Sequence, residues 1–222
     1  MFDEGTKIAL FAVVLTAWVF GLTTEQLAPH ADLETAVETA RLPPLPQEVT
    51  PDGAPAQSRV SGIRVDLSDT FTAELLATYV IEGLVVTRRE FRNDPTSAIS
   101  PLDLGIVWGD LAKPGGIDGF EFRTGHRLIW YSPPENTEMP RRWKNQVTNN
   151  HLIPANQTVS DVLMETKIGS HVRLRGYLVK VTGDQISPWR SSLRRDDGSI
   201  VGGCEIILVT DVEVLEDGRS AA

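Results

Sequence analysis

Apolar and polar residues alternate with a period of two in several stretches from about residue 59 onward, and this pattern constrains the fold most. The stretch 63–67 alternates Ile, Val and Leu with polar neighbours, and the stretch 172–178 repeats the pattern. Successive side chains of a strand point to opposite faces, so alternation indicates a strand with one buried face. The sequence therefore predicts a globular, strand-rich domain over residues 59–216.

Other stretches of this domain predict particular elements. Residues 77–86 predict two strand pieces with a bulge or bend at Gly83. Residues 119–134 predict a hairpin that turns at a Thr-Gly pair. Residues 100–111 predict a short helix, with serine as cap and proline at the first helical position. Residues 159–166 predict a second helix, with Ser160 as its cap.

Together these elements predict an α+β, strand-rich fold: a partly closed, OB-like β-barrel with a few short helices. The segment 168–181 carries Gly176 in the middle of a strand and resembles the sharply bent first strand of an OB-type barrel. Fold alone does not determine function.

An uncharged apolar run, residues 8–22, precedes this domain. At about 1.5 Å per residue the run spans roughly 22 Å, and flanking residues extend it toward the thickness of a bilayer. We expect residues 1–27 to form an uncleaved membrane anchor, with a cleaved signal peptide as the alternative. We expect a single-pass protein of the inner membrane, and the scarcity of Lys and Arg after the run favours a domain outside the cytoplasm.

Residues 28–58 are acidic and rich in proline, which predicts a semi-extended, poorly packed linker. Residues 217–222 are expected to be a disordered tail. The chain carries a net charge of −9, which repels phosphate backbones and disfavours nucleic acid as a partner. The single cysteine excludes a disulfide within the chain, and no histidines share metal-ligand spacing, so no cofactor or metal is expected.

Three stretches have an unusual composition that suggests a functional role: residues 99–109, residues 149–155 and residues 189–205. With the GYLV segment between the last two, they resemble a family of bacterial membrane-anchored proteins with the patterns ISPxDLxxxWG, NxHxIPA, GxxVxLxGxLV and WxSSLxRxDxGxGxCE. The resemblance covers about half the chain. It implies an anchor with a globular domain, and it implies no activity.

His151 and Cys204 are the candidate catalytic residues. A thiolate attacks an acyl carbon when a nearby imidazole holds its proton. The order of the two residues is similar to sortase-type transpeptidases, although the TLxTC motif and the following arginine are missing. Alternatively, Cys204 is a small buried residue and His151 a structural loop histidine.

The leading hypothesis is non-catalytic, and enzymatic activity stays open. It describes a membrane-tethered binding or assembly domain, with a protein or an envelope ligand as its partner. Its ligand-binding residues would be polar and aromatic residues in loops: Asn150, His151, Trp189, Ser191, Ser192 and Arg195. The alternative is a Cys-His acyl-transfer enzyme acting on envelope peptide, and a third interpretation is a scaffold. The run Arg190, Arg194 and Arg195 is either an anion site or a set of solvated loop charges.

Overall fold

A computed structural model describes residues 35–38, 40–137, 140–184, 186–194 and 204–216. Within these residues there is no helix long and apolar enough to cross a membrane. The predicted anchor and the predicted tail lie outside the described residues, so both stay predictions.

The described part of the chain contains ten strands and few helices. The strands are β1 (Ala56–Arg59), β2 (Arg64–Ser68), β3 (Phe71–Glu90), β4 (Leu102–Val107), β5 (Glu121–Gly125), β6 (Leu128–Ser132), β7 (Val147–Pro154), β8 (His171–Gly183), β9 (Ile186–Arg190) and β10 (Glu205–Glu216). Helix α1 spans Gln157–Glu165, a 3-10 helix spans Arg141–Asn145, and residues 35–38 are helical. The predicted strand-rich α+β class is confirmed.

Five of these strands form a ring. The order around it is β3-β4-β7-β10-β8, and β8 pairs with β3 to complete it. Strands β7 and β10 run parallel, and the other neighbours in the ring run antiparallel. The inside of the ring is mainly apolar and receives apolar side chains from all five strands, including Tyr79, Leu104, Leu152, Leu174 and Ile207.

Strand β3 is one continuous strand rather than the two pieces predicted. Its first part pairs with β8 and its last part with β4, and the change of partner occurs at Gly83 and Leu84. A Cβ atom on Gly83 would lie 2.1 Å from the carbonyl oxygen of Val107, so glycine permits the close approach of two backbones. The register shifts lie elsewhere, between Leu75 and Ala77 and between Val85 and Thr87.

The helix predicted over residues 100–111 is wrong, because residues 102–107 form β4. All six residues of β4 are buried, and they pair with β3 and β7. A short apolar run buried on both faces lacks strict alternation, so the Ser-Pro capping signal misled the prediction. The second predicted helix is confirmed as α1, although its cap is Asn156, whose Oδ1 accepts a hydrogen bond of 2.9 Å from the Val159 backbone.

A second apolar cluster covers one outer side of the ring. It joins β2, the first part of β3, β8 and β10 to residues of the predicted linker, such as Leu42 and Leu45. The hydroxyl of Tyr177 donates to the carbonyl oxygen of Pro43 at 2.7 Å, and Arg175 donates to that of Gln47 at 3.1 Å. Residues 40–59 of the predicted linker and boundary are therefore packed against the domain.

Candidate functional site

His151 lies on the outer face of the ring, where β4 and β7 run side by side. The register pairs it with Asp103 of β4. The side chain of His151 is 3% exposed and that of Asp103 is 1% exposed. A buried carboxylate is costly unless other groups compensate its charge, so its surroundings decide what this site can do.

The imidazole of His151 approaches the carboxylate closely. Its Nδ1 lies 2.9 Å from Oδ1 of Asp103. Nevertheless, Nδ1 is buried and forms no hydrogen bond within the described residues. A hydrogen bond requires alignment as well as proximity. The two atoms are close enough for one, so the direction between Nδ1 of His151 and Oδ1 of Asp103 is what departs from hydrogen-bond geometry. The side-chain amide of Asn149 does donate to Oδ2 of Asp103, at 3.2 Å.

Arg127 connects this pair to a second carboxylate. Its guanidinium donates to Oδ1 of Asp103 at 2.9 Å and to Oδ2 of Asp94 at 2.8 Å, and it also donates to the carbonyl oxygen of Ser100 at 2.9 Å. The Arg127 side chain is only 15% exposed. Planar, forked donors match carboxylates well, so one arginine holds both acids in place.

Asp94 stays ionised because of these contacts. Burial alone would raise the pKa of Asp94, but hydrogen bonds from Arg127 and Thr96 outweigh burial and hold that pKa below its ordinary value of 3.8. The charge of Asp94 therefore stabilises the folded state above about pH 4 and ceases to do so as the pH falls through its folded pKa.

Two aromatic rings enclose the charged groups. The guanidinium carbon of Arg127 lies 3.9 Å from the ring centre of Phe91 and 5.5 Å from that of Trp189. The rings of His151 and Trp189 are tilted against each other with centres 4.8 Å apart. Cation–π contacts of this kind gain strength where water is excluded.

A strained turn delivers Arg127 to the site. Strands β5 and β6 form the predicted hairpin, but the turn residues are His126 and Arg127 rather than the Thr-Gly pair. Both have positive φ values, 48° and 57°. Two-residue hairpins require this geometry and usually use Asn or Gly for it, so His and Arg persist here only because other contacts compensate. The carbonyl oxygen of Arg127 accepts a hydrogen bond of 3.0 Å from Asn149.

Three other predicted ligand-binding residues have structural contacts. Asn150 is fully buried and bonds the carbonyl oxygen of Leu104, on the opposite face of β7 from His151. Ser191 is also buried, and its Oγ accepts a hydrogen bond from the Ile206 backbone. The Ser192 backbone donates to the carbonyl oxygen of Cys204. The two serines therefore hold the segment after β9 against the start of β10.

The two candidate catalytic residues lie near the same part of the site, His151 on β7 and Cys204 just before β10. Cys204 is partly buried, and its Sγ lies 3.9 Å from the carbonyl oxygen of Arg127. It immediately precedes Glu205, which pairs with Asn150. That register separates Cys204 from His151 by about two residue rises, roughly 7 Å along the strands. Arg195 lies outside the described residues, so its predicted role stays a prediction.

Sequence reasoning missed Arg127, Asp94 and Phe91. Asp103 belongs to the ISPxDL pattern and was visible as a motif residue, but its buried pairing with His151 was not. No local signal marks Arg127, because it reaches the acids only through the hairpin turn. Within the described residues, no group of three His, Cys, Asp or Glu residues is arranged to hold a metal ion.

A cavity of about 740 Å³ lies away from this site, at the end of α1. Its walls include Arg88, Met164 and Lys167 and none of the predicted site residues. Arg88 is already bound to Glu90 at 2.8 Å and to the carbonyl oxygen of Met164. We place the candidate site at His151 instead, because buried polar groups and aromatic rings converge there.

Comparisons of the chain with models of known protein families, with curated proteins and with solved structures give no match.

Proposed function

We propose that this chain is a ligand-binding domain that is tethered to the membrane and lies outside the cytoplasm, and that its recognition site surrounds His151 and Trp189. The observation that carries the proposal is the buried contact between His151 and Asp103 beneath the ring of Trp189. Polar groups are expensive to bury, and their convergence on one outer face supports a site more than a scaffold role.

We also propose that the ring is a partly closed, OB-like barrel. In the order of the chain, the five strands of the ring are β3, β4, β7, β8 and β10, and α1 lies between the third and the fourth of them. OB folds bind ligands on the face of the second and third strands and on the loops after the first and fourth. Asp103 and His151 lie on those two strands, whereas Asp94 and Trp189 lie in those two connections.

A neutral, polar ligand fits this site best, and we propose an oligosaccharide of the cell envelope. The guanidinium of Arg127 is committed to Asp94, Asp103 and Ser100, so it offers little attraction to an anionic ligand. The net charge of −9 opposes nucleic acids, the other common ligands of OB folds. The partly buried Trp189 supplies a flat apolar surface, and neighbouring polar groups supply hydrogen bonds.

A titration of the full chain with soluble fragments of the envelope polysaccharide tests this proposal. We expect Trp189→Ala and His151→Gln to weaken binding about tenfold or more, since hot-spot aromatic residues each contribute about 2 kcal/mol. Trp130→Ala is the matched control, because Trp130 is 37% exposed and lies in the β5-β6 hairpin. Equal affinity of the wild type and both site variants would contradict the proposed site, and binding of envelope peptide alone would contradict the proposed ligand.

Cys-His acyl transfer is the second candidate function. Its support is the approach of Asp103 to His151, since a carboxylate that orients an imidazole is a recurring part of such sites. Cys204→Ala should then abolish cleavage of envelope peptide while leaving binding intact. If cleavage persists in this variant, or if neither protein cleaves, this candidate function is wrong.

A further inference from the structure

A row of charged side chains crosses four adjacent strands on the other face of β9. Arg190 of β9 lies opposite Lys180 of β8, Lys180 lies opposite Glu74 of β3, and Glu74 lies opposite Arg64 of β2. Directly opposite residues of antiparallel strands share one face of the sheet, so these four side chains are neighbours. The row contains three basic groups and one carboxylate.

A cavity of about 350 Å³ adjoins this row. Arg59 and Arg190 line it together with Ser61 and Glu74, and its apolar wall is formed by Val60, Leu76 and Leu193. Leu76 is buried, whereas both arginines are exposed. The cavity therefore combines exposed cations with an apolar surface.

The basic groups of this row and of the cavity are poorly compensated by the residues that the structure describes. The ion pair between Lys180 and Glu74 is long, at 3.9 Å. Arg59, Arg64 and Arg190 form no ion pair among the residues that the structure describes. Like charges that face each other directly across two strands destabilise a sheet, and Arg190 and Lys180 face each other in this way. A bound anion would neutralise this basic cluster and so reduce the repulsion between its members.

We propose that this cavity binds a phosphate group carried by a molecule with an apolar portion. The guanidinium groups of Arg59 and Arg190 bind the phosphate oxygens, since arginine donors match them in geometry and charge. The wall of Val60, Leu76 and Leu193 contacts the adjoining apolar portion. The site is distinct from the one at His151, because Trp189 and Arg190 are consecutive residues of β9 and point to opposite faces.

Such a phosphate group belongs either to a lipid head group or to a soluble phosphate ester. The full chain is titrated with inorganic phosphate, with vesicles of phosphatidylglycerol and phosphatidylcholine, and with vesicles of phosphatidylcholine alone. The variant is Arg59→Ala with Arg190→Ala, and the control is Arg123→Ala, which removes an arginine that is 78% exposed and paired with Glu121. Comparison with the control cancels any binding through other parts of the chain.

We expect the wild type and the control to bind phosphate, and the double variant to bind it at least about tenfold more weakly. If the double variant also binds the anionic vesicles more weakly than the control does, the site is assigned to a lipid head group. If its binding is weaker only for inorganic phosphate, the site is assigned to a soluble ester. Equal binding by the double variant and the control, or no binding by the wild type to either probe, would overturn the proposal.

The single variant Arg190→Ala supplies an independent readout. Without phosphate and at low salt, it should unfold at a higher temperature than the wild type, because the repulsion with Lys180 is gone. With phosphate present the order should reverse, since the wild type has both arginines, binds phosphate more tightly and gains more stability from binding than the variant. If phosphate raises the unfolding temperatures of the wild type and the variant by the same amount, the proposal is wrong.

Discussion

Arg127 has more polar contacts than any other residue of the candidate site. It bonds two carboxylates and a backbone carbonyl, and it stacks on Phe91. Asp103 is 1% exposed, so removal of the guanidinium leaves a buried charge poorly compensated. At the scale of single residues, this one side chain links the hairpin to the ring.

Arg127→Ala should therefore lower the free energy of unfolding by about 3 kcal/mol, the typical cost of breaking a buried ion pair from one side. Arg123→Ala in the same hairpin removes an exposed pair with Glu121 and should change it by less than about 1 kcal/mol. Urea denaturation of both variants measures the difference. Equal effects of the two substitutions would show that Arg127 is an ordinary surface arginine.

At the scale of elements, the ring depends on places where two backbones approach closely. Gly176 lies in the middle of β8, opposite Val209 of β10. A Cβ atom there would lie 2.0 Å from the carbonyl oxygen of Leu208, which is backbone and cannot move aside cheaply. Gly83 of β3 has the same relation to Val107 of β4, so each of the paired strands β3 and β8 carries a glycine where a further strand approaches closely.

Gly176→Ala should destabilise the domain by about 3 kcal/mol or more, because overpacking forces the two strands apart. Gly125→Ala is the matched control: its Cβ would lie 3.4 Å from the Trp130 ring and 3.8 Å from Nη1 of Arg89, both of them ordinary contact distances. Thermal unfolding followed by circular dichroism distinguishes the two variants. A Gly176 variant as stable as the control would mean that β8 and β10 are further apart than described.

At the scale of the whole molecule, residues 40–59 belong to the packed structure. They cover the outer apolar cluster and bond Tyr177 and Arg175 through their backbone. Proline and acidic residues predict poor packing in general, but the few apolar residues between the prolines, such as Leu42 and Leu45, are sufficient to dock the segment.

A chain that begins at residue 56 should therefore be less stable than one that begins at residue 35, by at least about 2 kcal/mol. Tyr177→Phe in the longer chain should cost about 1 kcal/mol, because it removes only the hydrogen bond to Pro43. Chemical denaturation of the three proteins provides the comparison. A loose spacer would instead leave the stability of the shorter chain unchanged.

Local patterns identified the strands with one buried face, the hairpin and helix α1. Alternation and helical spacing are properties of the chain itself, so the strand-rich class could be predicted from them. They failed at β4, where burial on both faces removes alternation, and at the turn of the hairpin, where tertiary contacts hold His126 and Arg127 at positive φ. His151 was identified as unusual, but its role depends on its partners.

The sequence by itself determined the strand-rich class, the strands with one buried face, the acidic charge, and the candidate residues His151, Trp189 and Cys204. Only the tertiary structure decided that Asp103 faces His151, that Arg127 joins Asp103 to Asp94, and that Arg190 lies beside Lys180. Alternation specifies which residues of a strand share a face, but it does not specify which other strand lies beside that strand in the sheet. The register between distant strands follows from closing the ring, where the packing of both faces selects one pairing.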